Sequence, residues 1–545
     1  MVRAAPRSPV GPQAWDQACR DPVTFGGRFM KRWPAWLPAL LGLVTGLIYW
    51  WMWGAVVPGP AHVDEAAYLL QARILAGGHW VAPGRPLPEF FEQLMVLVTP
   101  ILAAKYPPGH SLVLALGEVV GAPPAIAIVL LNAATGAFVF LLASRLGGLA
   151  TGLMAWALWL VAPMNLTYRA SYLSNVTTGT LWVVGWWAAL EWWKSGARRW
   201  LLVLAGCTAW CVITRPLTGL VYALPLSILV AVRIRQRRLW ADLGYAAALS
   251  VAVLALLPLV NKRTTGRWLE MPWQAYARTY MPFDHLGFGL DSTAAVRTTD
   301  PELQRYNRIL RRVHRAHTLA SLPSIAVNRL SRVLTGTWSS NWPYVMVPFA
   351  VVGVLVAPAP AFVGLATAAL LGLAHLPYAH IPYWIVYYIE AVPVLAFLSA
   401  LGIVRLGAAA AGGFLRGSRR GRALLAGCTW VLVGMYLLQA VQGIPARRAR
   451  IARQHAPYDR FAAHLARIPD AKALVFIRYA RDHVVFRSLI VNEPDLQHAR
   501  IWVAHDRGTE NGRLLALAPE RVAYLYDQAH DTLLTVAPAR GGPAQ

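Results

Sequence analysis

Charge is scarce in this chain, and negative charge is scarcest. Of 545 residues 14% are charged, and 25 Asp and Glu stand against 51 Lys and Arg. With 57% hydrophobic residues and 24 Trp, so little charge excludes an ordinary soluble enzyme and indicates a polytopic membrane protein. Cysteine is nearly missing too, with four in all. Cys207 and Cys211 share a helix face inside an apolar run, a placement that fits small core residues rather than a disulfide or metal site. No cleavable signal pattern stands near residue 1. Arg3, Arg7, Arg20, Arg28, Lys31 and Arg32 precede Trp33-Pro34, so the first span is expected to remain as an anchor with its N-terminus inside. A formal charge of +26 would suit nucleic acid, but the basic residues fall in short clusters between apolar runs, which argues against that partner.

What is present is a succession of apolar runs of spanning length, about 17–25 residues each. They lie near 34–57, 124–143, 149–165, 173–193, 199–214, 217–232, 240–260, 342–358, 360–377, 384–404 and 423–442. The expected architecture is mainly α, a polytopic transmembrane helix bundle of about 11 spans with a small C-terminal α/β soluble domain. Its parts are a cytoplasmic segment 1–33, a transmembrane domain 34–442 with external loops 58–123 and 261–341, and a non-cytoplasmic domain 446–545. Parity from an inside N-terminus places Arg145, Lys194, Arg198, Arg199, Arg233, Arg235, Arg237, Arg238, Arg405, Arg416, Arg419, Arg420 and Arg422 on the cytoplasmic side, as the positive-inside rule requires. The short outward hairpins then carry only Arg169 and Arg215. Ser111–Gly121 is apolar but too short to cross, and reads as a helix in the outer interface.

The tail concentrates acids and alternates β-rich runs (473–477, 499–504, 521–526) with helix-like segments such as Tyr458–Ile468, an α/β pattern of about 90 residues. It contains no Gly-rich phosphate loop, nucleophile elbow or metal-ligand spacing.

Few acids remain as candidates for chemistry; Asp16, Asp21, Glu191 and Asp242 lie where they would be solvated. The first external loop holds His62-Val63-Asp64-Glu65-Ala66-Ala67-Tyr68 and then Lys105-Tyr106-Pro107-Pro108-Gly109-His110. Residues 64–76 read as an amphipathic helix with Asp64, Tyr68 and Gln71 on one face, ended by Gly77-Gly78. Asp64 then serves as an N-cap with Glu65 complementing the helix dipole, as a general base, or with Glu65 as a pair of oxygen ligands for a divalent cation. Lys105, before two prolines that hold the backbone extended, presents an ammonium to a lipid phosphate or snorkels to the headgroups. Arg215 sits where two span ends meet, and needs an anion such as a phosphate or Glu390. In the 261–341 loop, Arg305, Arg308, Arg311, Arg312 and Arg315 follow a helical register suited to the outer leaflet, and Trp268, Trp273, Tyr276, Tyr280, Phe283 and Phe288 read as interfacial anchors or as a sugar-stacking surface.

The ordered set of Asp64-Glu65, Lys105–His110, Thr214-Arg215-Pro216 and Tyr387-Tyr388-Ile389-Glu390-Ala391 resembles the membrane-embedded glycosyltransferases that use polyprenyl-phosphate sugars, among them protein O-mannosyltransferases and the aminoarabinose transferases of lipid A. The resemblance covers roughly residues 34–405. It implies an inverting transfer of a hexosyl or pentosyl group from an isoprenoid-phosphate carrier to an envelope acceptor hydroxyl on the non-cytoplasmic face. Asp64 and Glu65 would be catalytic, Lys105 and Arg215 would bind the donor phosphate, and Tyr68, Tyr106, His110, Tyr388 and Glu390 would line the substrate pocket. Gly109-His110 departs from the leucine common after the prolines in the aminoarabinose branch, and the tail has no equivalent of a known acceptor-binding domain, which leaves the acceptor open. The implied partners are the lipid-linked donor and membrane lipids, with no cofactor required beyond an optional divalent cation. Ala/Arg/Gly-rich usage suggests a GC-rich bacterial genome, hence the bacterial inner membrane. The competing readings are a transporter, for which inverted repeats and paired broken helices are missing, and a non-catalytic envelope assembly protein.

Overall fold

The computed structural model describes residues 33–54, 58–293, 298–338, 343–411 and 418–536. The basic N-terminal cluster before Trp33, Asp16, Asp21 and Arg416 lie outside the described residues. Among those described, five helices are long and apolar enough to cross a membrane: Pro124–Gly147, Pro216–Arg237, Trp240–Thr265, Ile385–Ala410 and Arg419–Ala466. Shorter apolar helices accompany them, including Leu37–Trp53, Leu149–Leu160 and Ala361–Ala374. The chain is a multi-pass membrane protein, but helices of full spanning length do not stand at all eleven expected positions. Its helical interior is tryptophan-rich, with Trp159, Trp182, Trp192 and Trp193 fully buried. Cys207 and Cys211 are buried and free, as small core residues would be. Arg169, expected in an outward hairpin, is instead inside the protein. Its guanidinium donates to Asn132 Oδ1 at 2.9 Å and lies 4.9 Å from the Trp159 ring centre, so protein carbonyl and π density replace water around it.

Between the helices Leu37–Trp53 and Pro124–Gly147, the helix Val63–Ala76 starts at His62, whose ring Nδ1 faces the Asp64 amide at 3.3 Å. His62, not Asp64, therefore holds the N-cap position, and both acids fall in the first turn, where the helix dipole favours negative charge. The helix stops at Gly77-Gly78, with Gly78 at φ +79. Three short strands follow: β1 (Ala82–Pro83), β2 (Val96–Leu97) and β3 (Ile101–Ala104), antiparallel in the order β1-β3-β2. Gln71 ties helix to sheet, donating to Trp80 O and accepting from Ala104 N at 3.0 Å, immediately before Lys105. The helix Gly109–Val119 is too short to span and leaves Leu116, Val119 and Val120 exposed, as an interfacial helix would. The Arg-rich helix Pro301–Ala316 does not lie bare: Leu303, Tyr306 and Leu310 pack into one core with Val63, Ala67, Met95 and Val98. Protein rather than lipid covers its apolar face because the first loop offers a matching hydrophobic surface. Tyr276, Tyr280 and Phe283 join the same core, while Trp268 and Trp273 are exposed.

After Gly443 the helix Ile444–Ala466 leads into β4 (Ala473–Arg478), β5 (Ile501–His505), β6 (Val522–Asp527) and β7 (Thr532–Thr535), in the order β5-β4-β6-β7. Central β4 runs parallel to β5 and β6, and its run Ala-Leu-Val-Phe-Ile is buried throughout, as a strand covered on both faces should be. Phe461 and Ile468 cover one face. The other is covered by Leu514 together with Phe90 and Phe91 from the first loop, so the tail sheet completes its core with residues from the far end of the chain. At the base of the tail, Arg448 donates to Trp51 O at 2.9 Å, joining the end of the helix Leu37–Trp53 to the start of the helix Ile444–Ala466.

Candidate functional site

Asp64 is 24% exposed at the side chain and occupied on both oxygens. Oδ2 lies 2.6 Å from His62 Nδ1, and Oδ1 accepts from the Tyr106 hydroxyl. Burial pushes its carboxyl up, but His62, the Tyr106 hydroxyl and Lys105 outweigh that and hold it down at about 2. Glu65 points the other way. It is 4% exposed, its Oε2 accepts from Tyr172 N at 3.3 Å, and burial raises its carboxyl to about 7. The two carboxylates diverge rather than converging as a pair of oxygen ligands, and among the described residues no group of three or more His, Cys, Asp or Glu side chains could hold a metal ion.

Lys105 is brought to Asp64 by the β3 strand and by Tyr106. Its Nζ sits 5.4 Å from the Tyr106 ring centre and 5.3 Å from that of Tyr276, in the fields of Asp64 and Asp284. Burial lowers its proton affinity. Among the described residues no carboxylate comes within ion-pair distance of it. Tyr68 stacks on Tyr106 at 4.4 Å and donates to Ser174 Oγ at 2.9 Å, so the helix and the Lys-Tyr-Pro-Pro segment share an aromatic seam. His110 is fully buried beneath Tyr68, and both ring nitrogens are engaged, with Thr177 Oγ1 and Tyr172 O at 2.8 Å each. It supports the floor of the site and is not on its surface.

The Pro-Pro segment docks because Gly109 has no side chain: a Cβ there would stand 2.3 Å from Thr214 Oγ1 and 2.9 Å from the Ile213 carbonyl. Trp210 Nε1 donates to Gly109 O at 3.0 Å across the same contact. Next to it Arg215, forced into an extended conformation by the following proline, turns its guanidinium to Glu390 at 3.3 Å and to Val386 O. Glu390 is fully buried and also accepts from Thr178 Oγ1. Residues Ile385–Ala391 wind as a 3₁₀ helix, so Tyr387 and Glu390, three apart, share a face. Tyr387, not Tyr388, therefore lies beside Arg215, with ring centre and guanidinium 5.4 Å apart and within the fields of both Asp64 and Arg215. Tyr388 is turned away, to His380 Nε2 at 3.0 Å.

The structure thus gathers Asp64, Lys105, Tyr68, Tyr106 and Arg215 with Glu390, while Glu65, His110 and Tyr388 face elsewhere. Sequence reasoning missed His62, Tyr387 and the tail. The 3₁₀ segment Val485–Arg487 places the Phe486 ring parallel to His62, 5.4 Å apart and 10° inclined, and edge-on to Tyr306 and Trp384. A narrow crevice lined by His62, Tyr458, Arg487 and Ser488 opens beside it.

No protein-family model matches the chain, and no curated protein does. Among solved structures, ArnT from Cupriavidus metallidurans bound to undecaprenyl phosphate is similar over 94% of this chain and 100% of its own, with a TM-score of 0.53 and 14% identity. The apo form of that protein aligns over 89% of this chain and 88% of its own (TM-score 0.49, 15% identity), and the Archaeoglobus fulgidus oligosaccharyltransferase over 82% and 63% (TM-score 0.43, 12% identity). The chain has the ArnT fold over nearly its whole length, which is the architecture that the motif resemblance implied.

Proposed function

We propose that this protein is a glycosyltransferase that moves a sugar from a polyprenyl-phosphate carrier to an acceptor hydroxyl of the cell envelope, with inversion at the anomeric carbon. The observation that supports the reading is the approach of Asp64 and Lys105 to the same Tyr106 side chain, on a fold shared with a protein solved with undecaprenyl phosphate. Lys105, held by aromatic faces with no carboxylate at ion-pair distance among the described residues, receives the donor phosphate, and Arg215, steadied by Glu390 beside Tyr387, is the second cation for it. As the glycosyl bond breaks, the departing lipid phosphate gains charge, which these cations stabilise more in the transition state than in the ground state. Asp64 stands on the acceptor side, where base assistance to loss of the hydroxyl proton contributes about 10²–10⁴-fold. Tyr68, Tyr106 and Tyr387 surround these groups, and Glu65 and His110 hold the Tyr172 backbone behind them. The arrangement calls for about eleven spans, with the first loop, the loop 261–341 and the domain 446–545 on the non-cytoplasmic side of a bacterial inner membrane. The sugar is a hexose or pentose.

The test incubates the purified chain with a panel of polyprenyl-phosphate sugars and envelope extract and follows the released lipid phosphate and glycosylated product by mass spectrometry. Asp64→Asn is expected to lose transfer while inserting normally. Transfer at the native rate by that variant would overturn the reading, and adding EDTA in parallel determines whether a divalent cation takes part.

A further inference from the structure

The contact that Asp64 makes with His62 decides where the acceptor proton goes. A carboxylate only accepts hydrogen bonds, so the 2.6 Å separation from Asp64 Oδ2 puts the proton on His62 Nδ1. The same Nδ1 is 3.3 Å from the Asp64 amide, the longer and weaker of the two approaches. In the neutral ring the lone pair then lies on Nε2, which no described protein group hydrogen-bonds. The ring cannot turn freely, because the tail lays Phe486 flat on it at 5.4 Å. His62 is 29% exposed at the side chain and borders the crevice between the first loop and the tail. Asp64, by contrast, has both oxygens engaged.

On the glycosyl-transfer reading given above, we propose that His62 and Asp64 form a dyad in which the carboxylate orients the imidazole and His62 Nε2 takes the proton of the attacking acceptor hydroxyl. The hydroxyl oxygen bonds to the anomeric carbon as the bond from that carbon to the lipid phosphate oxygen breaks. The phosphate leaves with the electron pair, the hydroxyl proton moves to Nε2, and the imidazolium, stabilised by Asp64, returns it to water. The charged groups facing the ring are Asp64 and Glu65 from its own helix and Arg487 from the tail. Burial and Arg487 oppose a charge on the ring, but Asp64 and Glu65 prevail and raise its proton affinity above that of a free imidazole.

The experiment compares the native full-length chain with His62→Asn and His62→Gln in nanodiscs, using the donor panel and envelope extract of the previous section. Asn retains an N–H toward Asp64 and is a good N-cap, so the helix start survives. If the dyad is correct, both variants lose roughly 10²–10⁴-fold in kcat. The acid limb of the pH profile disappears, while the affinity for undecaprenyl phosphate stays unchanged. A His62→Asn protein that keeps native kcat and the same acid limb overturns the dyad alone. A native chain that transfers from none of the donors overturns the dyad together with the reaction it serves.

Discussion

The acids of the first turn differ by what surrounds each carboxylate, and this difference is measurable. Glu65 has its proton affinity raised from 4.5 to about 7 by burial, so the folded protein prefers it protonated. That preference stabilises the fold at pH below 4.5 and is lost as the pH rises toward 7. Glu65→Gln, which keeps the shape of the protonated acid, is expected to flatten the decline of melting temperature between pH 4.5 and 7 in a tryptophan-fluorescence melt. An unchanged slope would show that another group titrates. Asp64 runs in the opposite sense: its stabilisation is complete above pH 3.8 and fades toward about 2. At Arg215, substitution by Ala strands a fully buried Glu390, at a cost of about 3–5 kcal/mol. The double replacement of Arg215 and Glu390 by Met removes both charges and is expected to recover most of that loss in a denaturation assay while abolishing donor binding.

Among elements, the joint between the Pro-Pro segment and the Thr214-Arg215-Pro216 hairpin sets the distance from Lys105 to Arg215. Gly109→Ala drives a methyl group into the Ile213 carbonyl as well as the Thr214 hydroxyl. Undecaprenyl phosphate affinity is therefore expected to fall by about tenfold, the equivalent of about 1.4 kcal/mol, and trimming Thr214 to Ala should restore only part because the backbone clash remains; full restoration would place the strain in the side chain alone. The long helices and the tail strands at 473–477, 499–504 and 521–526 could be read from the sequence, since apolar periodicity is a local signal. The side of Tyr387 is legible as well, since a residue three before Glu390 shares its face in an α-helix as in the 3₁₀ turn found here, whereas Tyr388, two before it, does not. The inward turn of Glu65 and the stacking of Phe486 on His62 are not legible, because they depend on Tyr172 and on the tail, reached across the fold.

At the level of the whole molecule, the tail is fastened to the first loop and to the loop 261–341 by more than Phe486. Arg85 donates to the carbonyls of Glu493 and Pro494, His483 pairs with the buried Glu302 at 2.8 Å, and Phe90 and Phe91 enter the tail core. No local sequence pattern predicts such a docking between segments some 400 residues apart. Phe90→Ala removes a fully buried ring from that joint, at a cost of about 3–5 kcal/mol. The tail should then become susceptible to limited proteolysis near residues 469–472 and sugar transfer should fall, with undecaprenyl phosphate binding retained; an uncut tail would show that the polar contacts suffice. The clasp also sets an order of events during synthesis. The loop bearing Asp64 leaves the ribosome long before the ring that lies on His62, so a growing chain carries this region unfinished until the tail has been made.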